Sequence, residues 1–268
     1  MTFPAKCASG KDYSSKPITT TEGTTMQAVK NYLLSLERSH RARTRPDRPS
    51  VFTMYDREWD LLPDVFAPIY SRSTDVAMNF LGLGKSPGAP RTGSFLEIGC
   101  GTGLIAVSAA LAGCDRVVAT DINPAAVRNA AMNATRHGVG DRFTATHSDL
   151  FDRLDPDERF DTIFWSSNYV AAPAGYEFRN PHEQAYVDPG YRTHHRFLAE
   201  APRWLTPDGV IQLHFSTRGD LTGLLRTAGE YGLALHMRHS QVIQEGDVAV
   251  EHMLVDVTRA ARPAVLGS

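Results

Sequence analysis

The sequence is poor in cysteine. Three residues among 268 (Cys7, Cys100 and Cys114) are too few, and odd in number, for a disulfide framework. There is no Cys-x-x-Cys pair, and no cysteine and histidine stand together at ligand spacing, so no metal site is expected. Charge of one sign is also missing. Lys plus Arg (28) nearly balances Asp plus Glu (30), and a net charge of -2 removes the usual argument for a nucleic-acid or anionic-membrane binder. The longest nearly apolar run, Leu104 to Cys114, is about half the ~20 residues needed to cross a bilayer. The amino terminus lacks the basic-then-apolar pattern of a secretory signal. These absences point to a reducing compartment, a cytoplasmic location and no membrane partner.

What is present changes along the chain. Residues 1–50 read as an arm: threonines and serines crowd its start, and Arg38, Arg41, Arg43, Arg45 and Arg48 its end. Within it Met26, Val29, Leu33 and Leu36 fall near helical spacing behind Thr24 and Thr25, which predicts one amphipathic helix packed on the main body. Pro46, Asp47 and Pro49 interrupt the arginines, so a solvated linker is preferred to a phosphate-binding run. Residues 51–90 read as a cap segment, extended through Phe66 and then helical. Ser73 or Thr74 is its predicted helix cap, and the cluster Gly82, Gly84, Pro87, Gly88 and Pro90 its end.

From 91 to 258 short apolar runs alternate with helical stretches, and residues 259–268 read as a tail. Strands are predicted at Ser94 to Ile98, Arg116 to Thr120, Phe143 to His147, Thr162 to Ser166, Val210 to Phe215, Leu233 to Gln241 and Val248 to Val257. Helices are predicted at Gly103 to Ala112, Pro124 to His137, Thr193 to Trp204 and Leu221 to Tyr231. Strands separated by helical lengths need crossover connections, so the fold class is α/β, doubly wound, with a mostly parallel seven-stranded sheet.

The most informative stretch is FLEIGCGTGLIAVSAA, Phe95 to Ala110. An apolar strand runs directly into Gly99, Gly101 and Gly103 and then into a helix. Glycine is needed where the chain leaves a strand sharply and a ligand approaches the backbone, which predicts a nucleotide-like ligand. A dinucleotide fingerprint would place its third glycine where Leu104 stands, so a nicotinamide cofactor is disfavoured. The second strand ends in Asp121, about twenty residues on, where a carboxylate can accept from ribose hydroxyls. The third ends at Asp149, on the same edge of the sheet.

With these residues the sequence resembles the class I S-adenosylmethionine-dependent methyltransferases over about Phe66 to Val257, with their Rossmann-like fold. The resemblance implies S-adenosylmethionine as cofactor and no metal. Gly99, Gly101 and Gly103 would flank its methionine and ribose portions, Asp121 with Ile122 would hold the ribose, and Asp149 with Leu150 would lie at the adenine. Glu97 would act indirectly, ordering the loop. The stretch around Phe66 and Pro68 is similar to the Val-Phe-x-Pro segment that precedes the core in the small-substrate and release-factor-glutamine branch, making Phe66 and Tyr70 pocket walls.

The fourth strand departs from the family. Ser166-Ser167-Asn168-Tyr169 stands where methyltransferases of amide and amino nitrogens carry an Asn-Pro-Pro-Tyr or Asp-Pro-Pro-Tyr motif. Ser166 is too short to orient a planar nitrogen as the leading Asn or Asp does, which argues against protein-glutamine and adenine methylation. The long connection from Ala171 to Tyr191 reads as an aromatic lid able to face a sulfonium. The function expected is therefore methylation of a small molecule, with Ser166 at both cofactor and acceptor, and with Asn168, Tyr169 and Tyr176 positioning the acceptor; His182 is an alternative base. A second expectation is cyclisation of the cofactor itself to azetidine-2-carboxylate or 1-aminocyclopropane-1-carboxylate, releasing methylthioadenosine. A third, lesser one is RNA modification, although a nucleic-acid partner is not expected from the charge. His214 reads as a structural core histidine, Phe164, Trp165 and Phe215 as core, and His194 and His195 as lacking a third metal ligand.

Overall fold

The computed structural model describes residues 25–85 and 88–260. Cys7, the threonine-rich start, the cap Thr24, the helix-ending Pro87 and most of the tail lie outside the described residues. So do the side chains of Met26 and Val29.

Alternation in the seven apolar runs produces one sheet with both faces covered. In β3 (Ser94–Ile98), Phe95 belongs to one apolar layer and Leu96 and Ile98 to the other. Around it lie β4 (Arg116–Asp121), β5 (Phe143–His147), β6 (Phe160–Ser166), β9 (Leu205–Ser216), β10 (Leu233–Glu245) and β11 (Val248–Arg259). Their spatial order is β10-β11-β9-β6-β3-β4-β5. The four pairings among β9, β6, β3, β4 and β5 are parallel. The last strand, β11, runs antiparallel to both neighbours because a tight turn at Gly246 folds β10 back onto it as a hairpin. The reading of a doubly wound, mostly parallel seven-stranded sheet holds.

Helices α3 (Leu104–Leu111) and α4 (Pro124–Arg136) cover one face, and α5 (Arg192–Glu200) and α6 (Leu221–Glu230) the other. α4 shows how the sequence builds them. Asn123 caps it by accepting from Ala125 N at 2.9 Å, Pro124 fits its first turn, and Ala126, Ala130 and Ala134 line its buried side. Asn129 and Asn133 share that side and are fully buried. Their amides clasp the cap segment: Asn129 Oδ1 accepts from Leu62 N at 2.8 Å, and Asn133 Oδ1 from Asp60 N at 2.7 Å.

That segment is a hairpin, β1 (Val51–Met54) and β2 (Arg57–Asp60), followed by α2 (Arg72–Phe80). The cap of α2 is Ser71, not Ser73 or Thr74, and accepts from Ser73 N. Before the hairpin runs α1 (Thr25–Thr44). Its inward side is only in part the predicted one: Ser35, Ser39 and Ala42 are buried whereas Leu33 is 55% exposed. α1 packs on a loop and not on the sheet core: Leu36, as predicted, and Tyr32 lie against that loop's small apolar cluster of Val170, Ala172 and Val187, while Ser35 and Ser39 are buried beside them. That loop contains two short strands, β7 (Ala171–Ala172) and β8 (Asp188–Pro189), paired in parallel.

Gly103 is left-handed at φ 78°, and a Cβ there would lie 2.8 Å from the Cα of Ala130. Gly103→Ala should therefore destabilise the fold by about 1–3 kcal/mol in denaturant unfolding, combining backbone strain with a forced separation of α3 and α4.

Candidate active site

The carboxyl ends of β3, β4, β5 and β6 open into a cavity of about 610 Å³, within the usual range of ~300–1,000 Å³ for ligand sites. Gly101 takes φ 54°, and a Cβ built there would meet nothing within 4 Å, so its backbone faces open space. Asp121 fixes this turn: Oδ2 accepts from Gly101 N at 2.9 Å and Oδ1 from Asn123 N at 2.8 Å. Gly99, Gly101, Asp121, Ile122 and Leu150 all line the cavity. Gly103 does not. A Cβ there would meet Ala130, so its requirement for glycine comes from helix packing, and the structure does not place it on the cavity wall where the cofactor was expected.

Glu97 is 2% exposed and its Oε2 accepts from Ala106 N at 2.8 Å, tying β3 to the start of α3. Burial pushes its carboxyl well above the ordinary range. Burial also raises Asp121, against the two backbone N–H groups that lower it. Asp149 lines the cavity, but one of its oxygens accepts from Arg196 at 2.6 Å, a partner on α5 that the sequence reading did not include. Leu150 follows at φ 52° and is buried.

At the end of β6 all four residues of the departing motif line the cavity. Ser166 Oγ lies 3.0 Å from His214 Nδ1. Asn168 Nδ2 donates to the carbonyls of Gln184 at 2.9 Å and Val187 at 3.0 Å, which fixes the orientation of the amide and clamps the loop. Its Oδ1 is buried and has no partner within the protein. The Tyr169 ring presents edges to His214, Phe215 and His252, and burial raises its phenol. Trp165, read as core, is buried and also forms part of the cavity wall.

Tyr176 is not brought to the site. Its hydroxyl donates to Glu183 Oε2 at 2.8 Å and its ring packs against Tyr32 and behind the cavity-lining Phe178, so its assignment to the acceptor is corrected. Glu183, which the sequence reading passed over, claims the phenol because a buried carboxylate needs donors. Phe66 and Tyr186 do wall the cavity, with ring centroids 5.4 Å apart, and Tyr70 lies beneath the Arg45 guanidinium.

The lid is held down by contacts between residues far apart in the sequence. Ser39 on α1 meets His182 Nδ1 at 2.8 Å, joining the arm to the loop over the cavity. Arg48, read as part of a solvated linker, donates to the carbonyls of Ala42, Leu62 and Val65. Arg38 reaches Glu245, which also pairs with Arg218. Among the described residues no group of three His, Cys, Asp or Glu side chains could hold a metal, and no helix is long and apolar enough to cross a membrane.

This geometry has counterparts among known proteins. Residues 95–178 match a methyltransferase domain. Over 134 residues the chain is 35% identical to the ribosomal protein uL3 glutamine methyltransferase of Burkholderia pseudomallei, covering 44% of this chain and 43% of that protein. It is 28% identical to the release factor glutamine methyltransferase of Bordetella pertussis, covering 71% and 80%. The chain thus spans about half the length, or less, of the first of these relatives. In fold it resembles M. jannaschii TYW2 in complex with AdoMet, with TM-score 0.50, 16% identity and coverage of 77% and 84%. The relatives are named for protein substrates, which overturns the expectation of a small-molecule acceptor and partner and, with it, the cyclisation alternative. The small acceptor was expected from a departure confined to Ser166-Ser167-Asn168, whereas the likeness to a protein methyltransferase extends over 134 aligned residues.

Burial holds His182 down to about 4 and His214 to about 3, both from 6.5. An unfolded chain would take up these protons first as pH falls, so stability is present above pH 6.5 and is lost between 6.5 and about 4. Each histidine contributes about 1.4 kcal/mol per pH unit across that window. In denaturant unfolding, His182→Gln should lose less stability between pH 7 and pH 4 than the native chain does.

Proposed function

We propose that the chain is an S-adenosylmethionine-dependent methyltransferase acting on a macromolecule, with a nitrogen of a protein side chain as acceptor. The observation that carries it is the open cavity at the strand ends, with the Gly101 backbone and the Asp121 carboxylate on its wall. Residues 91–258 carry this crevice, and residues 25–85 cover it. The relatives' names support the macromolecular acceptor.

The residues present fit the cofactor. Each Asp121 oxygen accepts one backbone N–H and retains a lone pair for a ribose hydroxyl. Leu150 supplies an apolar wall, and the Tyr169, Phe66 and Tyr186 rings offer π faces to a cation, worth about 0.5–2 kcal/mol each. When bound, S-adenosylmethionine supplies a methyl group on a positively charged sulfur. This chain's residues then hold the acceptor in line and keep water out. Asn168 Oδ1, buried and unpartnered, accepts from an acceptor N–H and sets its direction. Ser166 takes no part in that orientation because its hydroxyl already engages His214.

The test has two arms. Calorimetric titration of S-adenosylmethionine should show binding by the native chain and at least tenfold weaker binding by Asp121→Ala with an unchanged far-ultraviolet spectrum. Tritiated S-adenosylmethionine, offered separately with ribosomal proteins, release factors and bulk RNA, should label protein in a form removed by protease and resistant to nuclease. Unchanged affinity in Asp121→Ala would overturn the cofactor placement. Label confined to RNA would overturn the protein acceptor.

A further inference from the structure

Four polar side chains cross the sheet in a line that binding the cofactor and orienting the acceptor do not use. Ser166 Oγ is 3.0 Å from His214 Nδ1, His214 Nε2 is 3.0 Å from His252 Nδ1, and His252 Nε2 is 3.2 Å from Glu245 Oε1. They sit on β6, β9, β11 and β10, four strands adjacent in that order. Register aligns them: Ser166 is opposite His214, and His252 is two residues from Leu254, which is opposite His214. Both imidazoles are fully buried. Each end of the line, Ser166 and Glu245, lines the cavity.

We infer that Ser166, His214, His252 and Glu245 form a proton relay that removes the proton released when the acceptor nitrogen is methylated. The inference rests on the methyl-transfer reading above. In that reaction an N–CH3 bond forms, the sulfur–CH3 bond breaks with its electron pair left on sulfur, and one N–H proton must depart. Ser166, on the cavity wall, is the catalytic residue of this relay, because its hydroxyl receives the acceptor's proton; the other three act through it.

The hydrogen-bond directions permit a relay without any charged imidazole. With both histidines protonated on Nε2, Ser166 donates to His214 Nδ1, His214 donates to His252 Nδ1, and His252 donates to the Glu245 carboxylate. Arrival of the acceptor proton at Ser166 Oγ shifts each proton one place, leaving both histidines neutral as Nδ1 tautomers and Glu245 protonated at the cavity wall. Neutrality matters because burial beside His252 strongly disfavours an imidazolium at His214. The Tyr169 ring edge faces both imidazoles, Phe80 faces His214, and among the described residues no carboxylate but Glu245 is hydrogen-bonded to the line. Arg38 and Arg218 pair with Glu245, so its proton is passed on to solvent at the partly exposed lid. A single structural histidine needs partners but does not need a second one leading back to the same cavity. That return is what distinguishes the line from a core network.

The test uses the full chain. Nitrogen-15 NMR of the imidazoles with S-adenosylhomocysteine bound should show both histidines neutral and protonated on Nε2 at pH 7.5. An Nδ1 proton on resting His214, or an imidazolium there, would overturn the relay. Single-turnover transfer of tritium to the protein acceptor should slow at least tenfold in Ser166→Ala and in His252→Gln, with unchanged affinity for S-adenosylmethionine. Ser166→Thr, which keeps the hydroxyl, should stay within about threefold of the native rate. If His252→Gln does not fold, Glu245→Gln blocks the exposed end and leaves both imidazoles in place. A native rate in the blocked variant overturns the relay alone. No labelling of any protein by the native chain overturns the methyl-transfer reading and the relay's part in it.

Discussion

The carboxylate of Asp121 joins the two turns on which the site is built. It accepts from Gly101 N in the loop after β3 and from Asn123 N in the loop after β4. Asn123 in turn caps α4 and donates through its Nδ2 to the carbonyl of Asp64 in the cap segment. One side chain therefore couples the floor of the crevice, the helix behind it and the chain that covers it. Hydrogen bonds to a charged group contribute roughly 1.5–3 kcal/mol each, yet the Asp121 pKa lies above its ordinary value because burial outweighs both donors. The net direction identifies a carboxylate held in place at some cost to stability, as ligand sites do.

What the sequence displayed best was whatever depends on short-range rules. Seven apolar runs became the seven strands, most of them extended at one or both ends, because alternation and crossover spacing are local signals that pairing merely lengthens. Val210 to Phe215 grew to Leu205–Ser216, and Leu233 to Gln241 grew to Leu233–Glu245, since a neighbouring strand can pair residues that have no apolar pattern of their own. Gly99 and Gly101, expected in a sharp turn after the strand, line the cavity. Gly103 was readable as a glycine, but its reason, the backbone of Ala130, comes from α4 and lies outside any window around it.

Polar residues that act across long separations left no such trace. Asn129 and Asn133 look like surface positions in α4 until the hairpin edge is laid against them. Ser35 and Ser39 look outward-facing, and Leu33 inward-facing, until His182 meets Ser39 from 143 residues away. Tyr176 was placed at the acceptor from its aromatic character, whereas Glu183, seven residues on, decides where its hydroxyl goes. Of the loop aromatics, Phe178 and Tyr186 face the crevice; only the path of the loop separates them from Tyr176.

The departure at the end of β6 has a physical logic once the two serines, the asparagine and the tyrosine are seen together. In the motif the family carries, a leading amide or carboxylate directs the acceptor nitrogen. Here that position holds a hydroxyl bonded to His214, and an amide oxygen with no partner stands two residues later at Asn168. An amide oxygen can accept and orient, but an amide nitrogen does not readily give up and regain a proton. A hydroxyl does both through one oxygen. Under the functional reading proposed above, direction of the acceptor is carried by Asn168 and removal of its proton by Ser166. The loop clamp made by Asn168 Nδ2 ties the first of these to closure of the lid. Acceptor alignment is then completed only when the loop from Ala171 to Tyr191 is in place, so water exclusion and orientation are achieved in the same step.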